Sequence, residues 1–187
     1  MTVQHVRFYP APVLSKQCEY VGDFDEKLLQ LIEDLKDTAK QHGAHGIAAP
    51  QLGSAERVLV LLEGEEYKAF INPSIVESAV NQVQTNEGCL SFPQVYGIIP
   101  RAEWVKIRYQ NTDGSFAEEI VLADSVAIAF QHELDHLNGV VFTSRMGKID
   151  KHLSLKKHLK IQKRIGNNTK RLQAQLDKLG KGNIVTT

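Results

Sequence analysis

Residues 131–139 read QHELDHLNG, and the interpretation of the whole chain depends on this stretch. His132 and His136 are four residues apart, so on a helix both imidazoles lie on one face and can reach one metal ion. Glu133 lies one step around the helix, where its carboxylate can contact a water molecule next to the metal instead of the metal itself. This spacing is the HExxH pattern of zinc hydrolases, and it predicts a metal-dependent hydrolase in which Glu133 carries the proton.

The HExxH stretch is predicted to form the second half of a helix. Asp124 or Ser125 is expected to cap its start, and the helix is expected to run to Asn138 and stop at Gly139. On such a helix Ile128 and Ala129 precede His132 by four and three residues, so they share the face of the metal ligand.

The remaining elements are read from hydrophobic spacing. Residues 24–42 have apolar side chains at helical intervals and predict a helix that ends at Gly43. Extended segments are predicted at 58–62, 69–73, 74–80 and in a hairpin over 104–122, with a break at Pro73. Two further helices are predicted at 152–165 and 168–179, separated at Gly166. The order predicts an α+β fold, with mostly antiparallel strands around a central metal-binding helix and a C-terminal helix.

Length and composition indicate one catalytic domain with an appendage. The chain has 187 residues, and we divide it into a catalytic domain at 1–150 and a basic helical extension at 151–187. It has no run of 18 apolar residues, which argues against a membrane span. Residues 1–14 lack the features of a secretory signal, so we expect a cytoplasmic protein. Cys18 and Cys89 are accordingly expected to be free, metal-bound or catalytic, with no disulfide between them.

The net charge of zero results from an acidic body and a basic C-terminal tail that balance each other. From Arg145 to the end the chain has twelve Lys or Arg and two acidic residues, whereas the first 144 residues have ten basic and twenty acidic side chains. A second hypothesis, from a different class, is therefore a nucleic-acid-binding protein driven by the basic tail. That hypothesis leaves the QHELDH stretch without a role.

A catalytic site of this kind needs a third protein ligand. No Glu follows Glu133, which argues against peptidases that take a downstream Glu, and Phe142 stands where HExxHxxGxxH would place a third His. Asp150 and Cys89 remain candidates, whereas lone histidines such as His42, His45, His152 and His158 are more often surface or core residues than ligands.

Three segments resemble a known family. GIAAPQ at 46–51, EGCLS at 87–91 and QHELDH at 131–136 occur in that order. Together they are similar to the peptide deformylases, which remove the formyl group from nascent polypeptides, and the resemblance covers about residues 4–150. It implies that Cys89, His132 and His136 bind the metal and that Glu133 is the catalytic acid and base. It also implies that the Gln51 amide and the Leu90 backbone N–H hold the oxyanion.

The resemblance has further implications for ligands and partners. The metal is expected to be Fe(II), although the ligand set also suits Zn(II), Ni(II) or Co(II). The substrate is expected to be a nascent N-formylmethionyl polypeptide, bound along Gly46 and Ile47, with its methionine in an apolar pocket at Ile128 and Ala129. The basic C-terminal helix is expected to contact the ribosome. The alternative in the same class is an HExxH metallopeptidase of other specificity.

The sequence also departs from the family pattern. The first motif usually begins with two glycines that flank an apolar residue, whereas this chain has Ala44 and His45 before Gly46. Tyr96 stands where bacterial members often have Arg. These changes predict altered contacts with the substrate and leave the ligand and acid–base positions intact.

Two interactions are expected around the site. Glu87 and Arg101 are predicted to pair and to fix the EGCLS segment. For Asp135 we keep two alternatives, contact with a ligand imidazole and exposure to water.

Overall fold

The structure is a computed structural model, and it describes residues 3–117 and 119–178, with side chains to residue 174. The helices are α1 Glu26–His42, α2 Ala49–Leu52, α3 Asp124–Leu137 and α4 Lys148–Lys178, with short 3-10 helices at Pro12–Ser15 and Phe142–Arg145. The strands are β1 Gly46–Ala48, β2 Val58–Glu63, β3 Glu66–Ser78, β4 Gln82–Cys89, β5 Phe92–Ala102, β6 Trp104–Gln110 and β7 Ile120–Ala123.

All strand pairs in these elements are antiparallel. β1, β2, β3, β6 and β7 form one sheet in that order, and β4 and β5 form a separate two-stranded sheet. α3 packs between the sheets and contacts β1, β2 and β5. The predicted α+β class, with a central HExxH helix and a C-terminal helix, is confirmed. Among the described residues no helix is both long and apolar enough to cross a bilayer.

The core consists of three clusters of buried side chains. Phe70, Val105 and Phe130 belong to the cluster between α3 and the large sheet. α1 covers the other face of that sheet with a second cluster, which includes Ile47. A third cluster joins β5, the second 3-10 helix and α4. Ala48 of β1 belongs to the first cluster and Cys89 of β4 packs against the third, so the core positions both strand ends.

The helix α1 follows its sequence signals closely. The Asp25 carboxylate accepts hydrogen bonds from the N–H groups of Lys27 and Leu28, at 3.0 and 3.1 Å. Gly43 ends the helix in the left-handed conformation, with φ of 59°. The predicted stop at Gly43 is therefore confirmed, and glycine is the residue that adopts this conformation without steric cost.

Some boundaries differ from the prediction. The segments on either side of Pro73 form one strand, because a register shift between Ile71 and Ser74 accommodates the proline. The hairpin pairs as predicted, but its return strand starts at Ile120 because only a single bridge forms earlier, at Phe116. Residue 118 of the predicted return strand lies outside the described residues.

The predicted N-cap of α3 is wrong, whereas its predicted end is correct to within one residue. Ala123 is the N-cap residue, and no side chain caps this end of the helix. Asp124 is the first helical residue and has a φ of 51°. At the other end the helix stops at Leu137, one residue before the predicted Asn138, and Gly139 lies just beyond. A side-chain carbon at Gly139 would lie 2.8 Å from the backbone of Lys16, so the glycine permits this close crossing.

The predicted break at Gly166 is also wrong, because α4 is continuous. A single glycine disfavours a helix by about 1 kcal/mol relative to alanine, which does not stop an otherwise helical stretch. Leu155 and Ile161 pack on the body, but Leu153 and Leu159 are more than half exposed. These two leucines lie on the outer side of the helix. Residue 179, where the second predicted helix was to end, lies outside the described residues.

Candidate metal centre and substrate cleft

The end of β4 meets the middle of α3 at three side chains. Cys89, His132 and His136 place one ligand atom each within 4.8 Å of one another. The Cys89 Sγ atom lies 3.2 Å from His136 Nε2. Over the residues that the structure describes, this is the one group of three or more Cys, His, Asp or Glu side chains with such spacing, and Asp150 is not part of it. One soft thiolate and two imidazoles form a donor set that suits a divalent transition metal.

Glu87 fixes the orientation of His132. The His132 Nδ1 atom lies 2.8 Å from a Glu87 carboxylate oxygen, so Nδ1–H donates to it and Nε2 is directed to the centre. Arg101 donates to both Glu87 oxygens at 2.7 and 2.9 Å, which confirms the predicted pair. Burial alone would raise the pKa of Glu87, but hydrogen bonds from Arg101 and His132 lower it to about 2. Glu87 is therefore ionised at all ordinary pH values.

Asp135 neither contacts a ligand imidazole nor faces water, so both predicted alternatives for it are wrong. Its carboxylate is buried and accepts from Arg101 at 2.6 Å and from Arg145. The contacts of Glu87 with His132 and of Asp135 with Arg145 were not predicted from the sequence. The position of Glu87 two residues before a candidate ligand was the available signal, because a ligand imidazole regularly donates its second N–H to a carboxylate.

The two imidazoles have opposite electrostatic environments. Burial would lower the pKa of His132, but interactions with Cys89 and Glu87 raise it well above its ordinary value. Burial, followed by the charge of His132, lowers the pKa of His136 well below its ordinary value. His136 is thus neutral, which is the form that binds a metal.

Glu133 is a buried carboxylate at the edge of this centre. It is 5% exposed, and its Oε2 atom has no hydrogen-bond partner among the described residues. Burial raises the pKa of Glu133 to about 7, against the opposing effect of His132. A carboxyl group with such a pKa exchanges protons readily near neutral pH, as a general acid and base must do.

Gln51 is held with its amide NH₂ group toward the centre. Its Oε1 atom accepts from the Ala48 N–H at 2.8 Å, which determines the orientation of the amide. Its Nε2 atom then lies 3.6 Å from Cys89 Sγ and 3.5 Å from Ser91 Oγ. Leu90, between these two residues, lines the same cleft.

A cleft with a volume of about 1040 Å³ opens at this centre. Its walls include Gly46, Ile128, Ala129 and Glu133. The side chain of Ile47 instead lies in the core under α1, so any contact with a bound peptide would use its backbone. The positions that depart from the family pattern, Ala44, His45 and Tyr96, also line the cleft.

The N-terminal segment was not identified from the sequence as part of the site. The Arg7 N–H donates to the Gln51 carbonyl at 2.7 Å, and the Tyr9 N–H donates to the Ser91 carbonyl at 3.1 Å. Both bonds use backbone groups only, so residue types in this segment carry no signal of the contact. Residues 7–9 therefore connect the GIAAPQ and EGCLS segments.

Comparisons with known proteins identify one family. A sequence profile of the polypeptide deformylase family matches residues 3–152. The peptide deformylase of Thermotoga neapolitana is 44% identical over 154 residues, which are 82% of this chain and 93% of that protein. Peptide deformylase 1 of Bacillus subtilis is 42% identical over 151 residues, covering 79% of this chain and 92% of that protein.

Solved structures give the same match. A crystal structure of a peptide deformylase from Legionella pneumophila superposes with a TM-score of 0.82 at 31% identity, and the match covers 89% of this chain and 98% of that one. The peptide deformylase of Thermotoga maritima gives a TM-score of 0.76 at 39% identity, covering 79% of this chain and 99% of that one.

Proposed function

The chain belongs to the polypeptide deformylase family. We propose specific roles in the deformylation reaction for the candidate residues of the cleft. The protein is a metal-dependent amide hydrolase that removes the N-formyl group from nascent polypeptides, with release of formate. The comparisons do not favour the alternative of an HExxH peptidase with other specificity. The observation that supports the roles most strongly is the burial of Glu133 beside the Cys89, His132 and His136 cluster.

Cys89, His132 and His136 are the proposed metal ligands. These three side chains would hold a divalent ion, which would supply Lewis acidity toward water and positive charge toward the oxyanion. We propose Fe(II) as the ion in the cell, on the basis of the family resemblance, with Zn(II), Ni(II) and Co(II) as functional substitutes. Metal analysis of anaerobically purified protein, with a deformylation assay alongside, tests this assignment.

Glu133 is the proposed general base and acid. Its carboxylate takes a proton from the attacking water and passes it to the departing amine, which would otherwise leave as an unstable anion. The Gln51 amide and the Leu90 N–H are the proposed donors to the oxyanion. Losing one such donor raises the barrier by about 3 kcal/mol. Gln51 is well suited to this role because its amide is already oriented by Ala48.

The proposed substrate path follows the cleft walls. Gly46 and Ile47 lie on β1, at the edge of the large sheet, where their backbone can pair with an extended peptide. Ile128 and Ala129 provide the apolar contact for the methionine side chain.

A pair of variants tests these roles together. Glu133→Ala should keep the metal and lose nearly all turnover, because Glu133 is not a ligand. Cys89→Ser replaces a soft thiolate with a poor neutral ligand, so it should lose metal affinity steeply. Metal content and hydrolysis of formyl-Met peptides are measured on both proteins. Loss of metal from Glu133→Ala with full activity per bound ion, or normal metal content and activity in Cys89→Ser, contradicts the assignment.

We also propose that the protein acts in the cytoplasm, at the ribosome. Among the exposed basic side chains of α4 are those proposed to contact ribosomal RNA: Lys156, Lys157, Lys160, Lys163, Arg164, Lys170 and Arg171. Such a charged face binds phosphate through counterion release. The division into a catalytic domain at 1–150 and an extension at 151–187 is proposed in this functional sense.

A further inference from the structure

His158 is a buried histidine in the middle of an otherwise exposed stretch of α4. It is fully buried, whereas Lys157 and Leu159 on either side are exposed. Its Nε2 atom lies 2.6 Å from the Tyr9 carbonyl oxygen, so Nε2–H donates to that carbonyl. Its Nδ1 atom is buried without a partner among the described residues. A side chain needed only for packing would avoid an unpaired buried nitrogen, so the bond to Tyr9 is the specific contribution of this histidine.

Tyr9 continues the connection toward the catalytic centre. Its N–H donates to the Ser91 carbonyl at 3.1 Å. Its ring stacks on Phe92 with centroids 5.0 Å apart and an interplanar angle of 21°, and the ring of His158 lies 4.8 Å from Phe92. Ser91 directly follows Leu90, whose N–H is a proposed oxyanion donor. Two hydrogen bonds therefore connect α4 to the turn that carries this donor.

The same segment also holds the second proposed donor. Two residues before Tyr9, the Arg7 N–H donates to the Gln51 carbonyl at 2.7 Å. The separation between Gln51 and Leu90 thus depends on where residues 7–9 lie. His158 holds this segment from the side of α4.

We propose that His158 is a positioning residue for the deformylation site. By holding the Tyr9 carbonyl, it fixes residues 7–9 and hence the distance between the Gln51 amide and the Leu90 N–H. This inference rests on the proposed function and adds a role for α4 in catalysis. His158 contacts neither substrate nor metal, so its effect falls on the alignment of groups that act in the transition state.

The test compares variants of the full-length, zinc-loaded protein. His158→Leu removes the donor, and we expect about a tenfold lower kcat with KM little changed. His158→Gln restores an N–H at the Nε2 position and should recover most of this loss. Ile161→Ala is the matched control, because it removes packing from the same helix but leaves the hydrogen bond from His158 to Tyr9 in place. It should lower the Tm and leave kcat per folded molecule unchanged.

A second measurement does not depend on turnover. The turn at Leu90 also carries Cys89, so His158→Leu should weaken Zn(II) binding, measured by competition with a chelator, while Ile161→Ala should not. If His158→Leu does not fold, His158→Gln is compared with His158→Asn, whose shorter amide cannot reach Tyr9. The proposal is overturned if His158→Leu and the wild type, or the substitute pair His158→Gln and His158→Asn, have equal kcat or equal Zn(II) affinity. It is also overturned if His158→Gln fails to restore the kcat lost in His158→Leu. Inactive wild-type enzyme would refute the proposed function, and the Zn(II) comparison would then still decide the role of His158.

Discussion

Gly46 has no room for a side chain beside Glu133, and this makes Gly46 a sensitive position. A side-chain carbon at Gly46 would lie 2.9 Å from Glu133 Cγ and 2.6 Å from Leu61 Cδ2, which is closer than such atoms approach. Both neighbours are buried, so neither can move without disturbing the site. The absence of a side chain at Gly46 therefore defines where the Glu133 carboxylate lies.

We predict that Gly46→Ala lowers kcat by about a hundredfold, because displacement of a catalytic group by about 1 Å has an effect of this size. Gly88→Ala is the matched control. A side-chain carbon there would lie 2.7 Å from the ring of Tyr96, but that ring is exposed and can turn away. Steady-state kinetics with a formyl-Met peptide measure both variants. Equal losses at Gly46 and Gly88 would show that the contact with Glu133 is unimportant.

The environment of Glu133 also predicts a pH dependence. Burial raises its pKa from 4.5 to about 7, and the base must be ionised to accept a proton. Acidification through that pKa therefore reduces activity. The charge of a bound metal opposes the effect of burial, so kcat/KM should fall between pH 7 and 4.5. The profile of kcat/KM from pH 4 to 9 tests this. Undiminished activity at pH 4.5 would exclude Glu133 as the base.

At the scale of the elements, Arg101 of β5 joins β4 to α3. Its guanidinium is 3% exposed and pairs with Glu87 of β4 and Asp135 of α3. Because both carboxylates are buried, removal of the cation would leave two negative charges close together in the interior. The network thus holds the strand with Cys89 against the helix with His132.

We predict that Arg101→Met destabilises the protein by about 3–5 kcal/mol, the usual effect of breaking a buried pair. It should also weaken metal binding, since Glu87 orients His132. Arg108→Met is the control, because Arg108 pairs with Glu119 at the exposed surface, where loss of a pair changes stability little. Urea unfolding measures stability in both variants. A similar midpoint for Arg101→Met and wild type would contradict the prediction.

The sequence predicts the elements better than the contacts between them. Helix α1 and strand β2 were predictable because hydrophobic spacing and Gly43 act locally. The cap of α3 was not, because Asp124 adopts an unusual backbone conformation that depends on its tertiary surroundings. The break at Gly166 was over-predicted, since one glycine does not end a long helix. In the site, His132 and His136 could be predicted from their spacing and Cys89 from family motifs. The hydrogen bonds from residues 7–9 to Gln51 and Ser91 could not be predicted, because they join backbone groups and do not depend on residue type.

At the scale of the whole molecule, the body and α4 carry net charges of opposite sign. The described basic side chains after Gln162 are exposed, and no described side chain beyond that residue is buried. His158 and Ile161, in contrast, are part of the packed body. The helix therefore has a docked half and an exposed half.

We predict that truncation after about residue 165 leaves hydrolysis of short formyl-Met peptides nearly intact, because His158 and Ile161 remain. It should weaken salt-dependent co-sedimentation with ribosomes, because basic side chains are lost. A matched full-length variant with Lys163, Arg164, Lys170 and Arg171 changed to Gln keeps the helix and should show the same defect. Equal binding of all three proteins at low salt would mean that the exposed half is structural.

The continuity of α4 through Gly166 has a geometric consequence. Its 31 residues give a rod of about 46 Å, at 1.5 Å per residue. A jointed tail would let the cleft swing through a wide volume around any anchoring point, whereas a docked rod holds it at one distance and in one direction. A nascent chain that emerges along that direction then meets the cleft at a high effective concentration. With the proposed attachment of the tail at the ribosome, the rigid helix would fix the direction in which the cleft faces. The length of the helix would then set the distance between the cleft and the anchoring point.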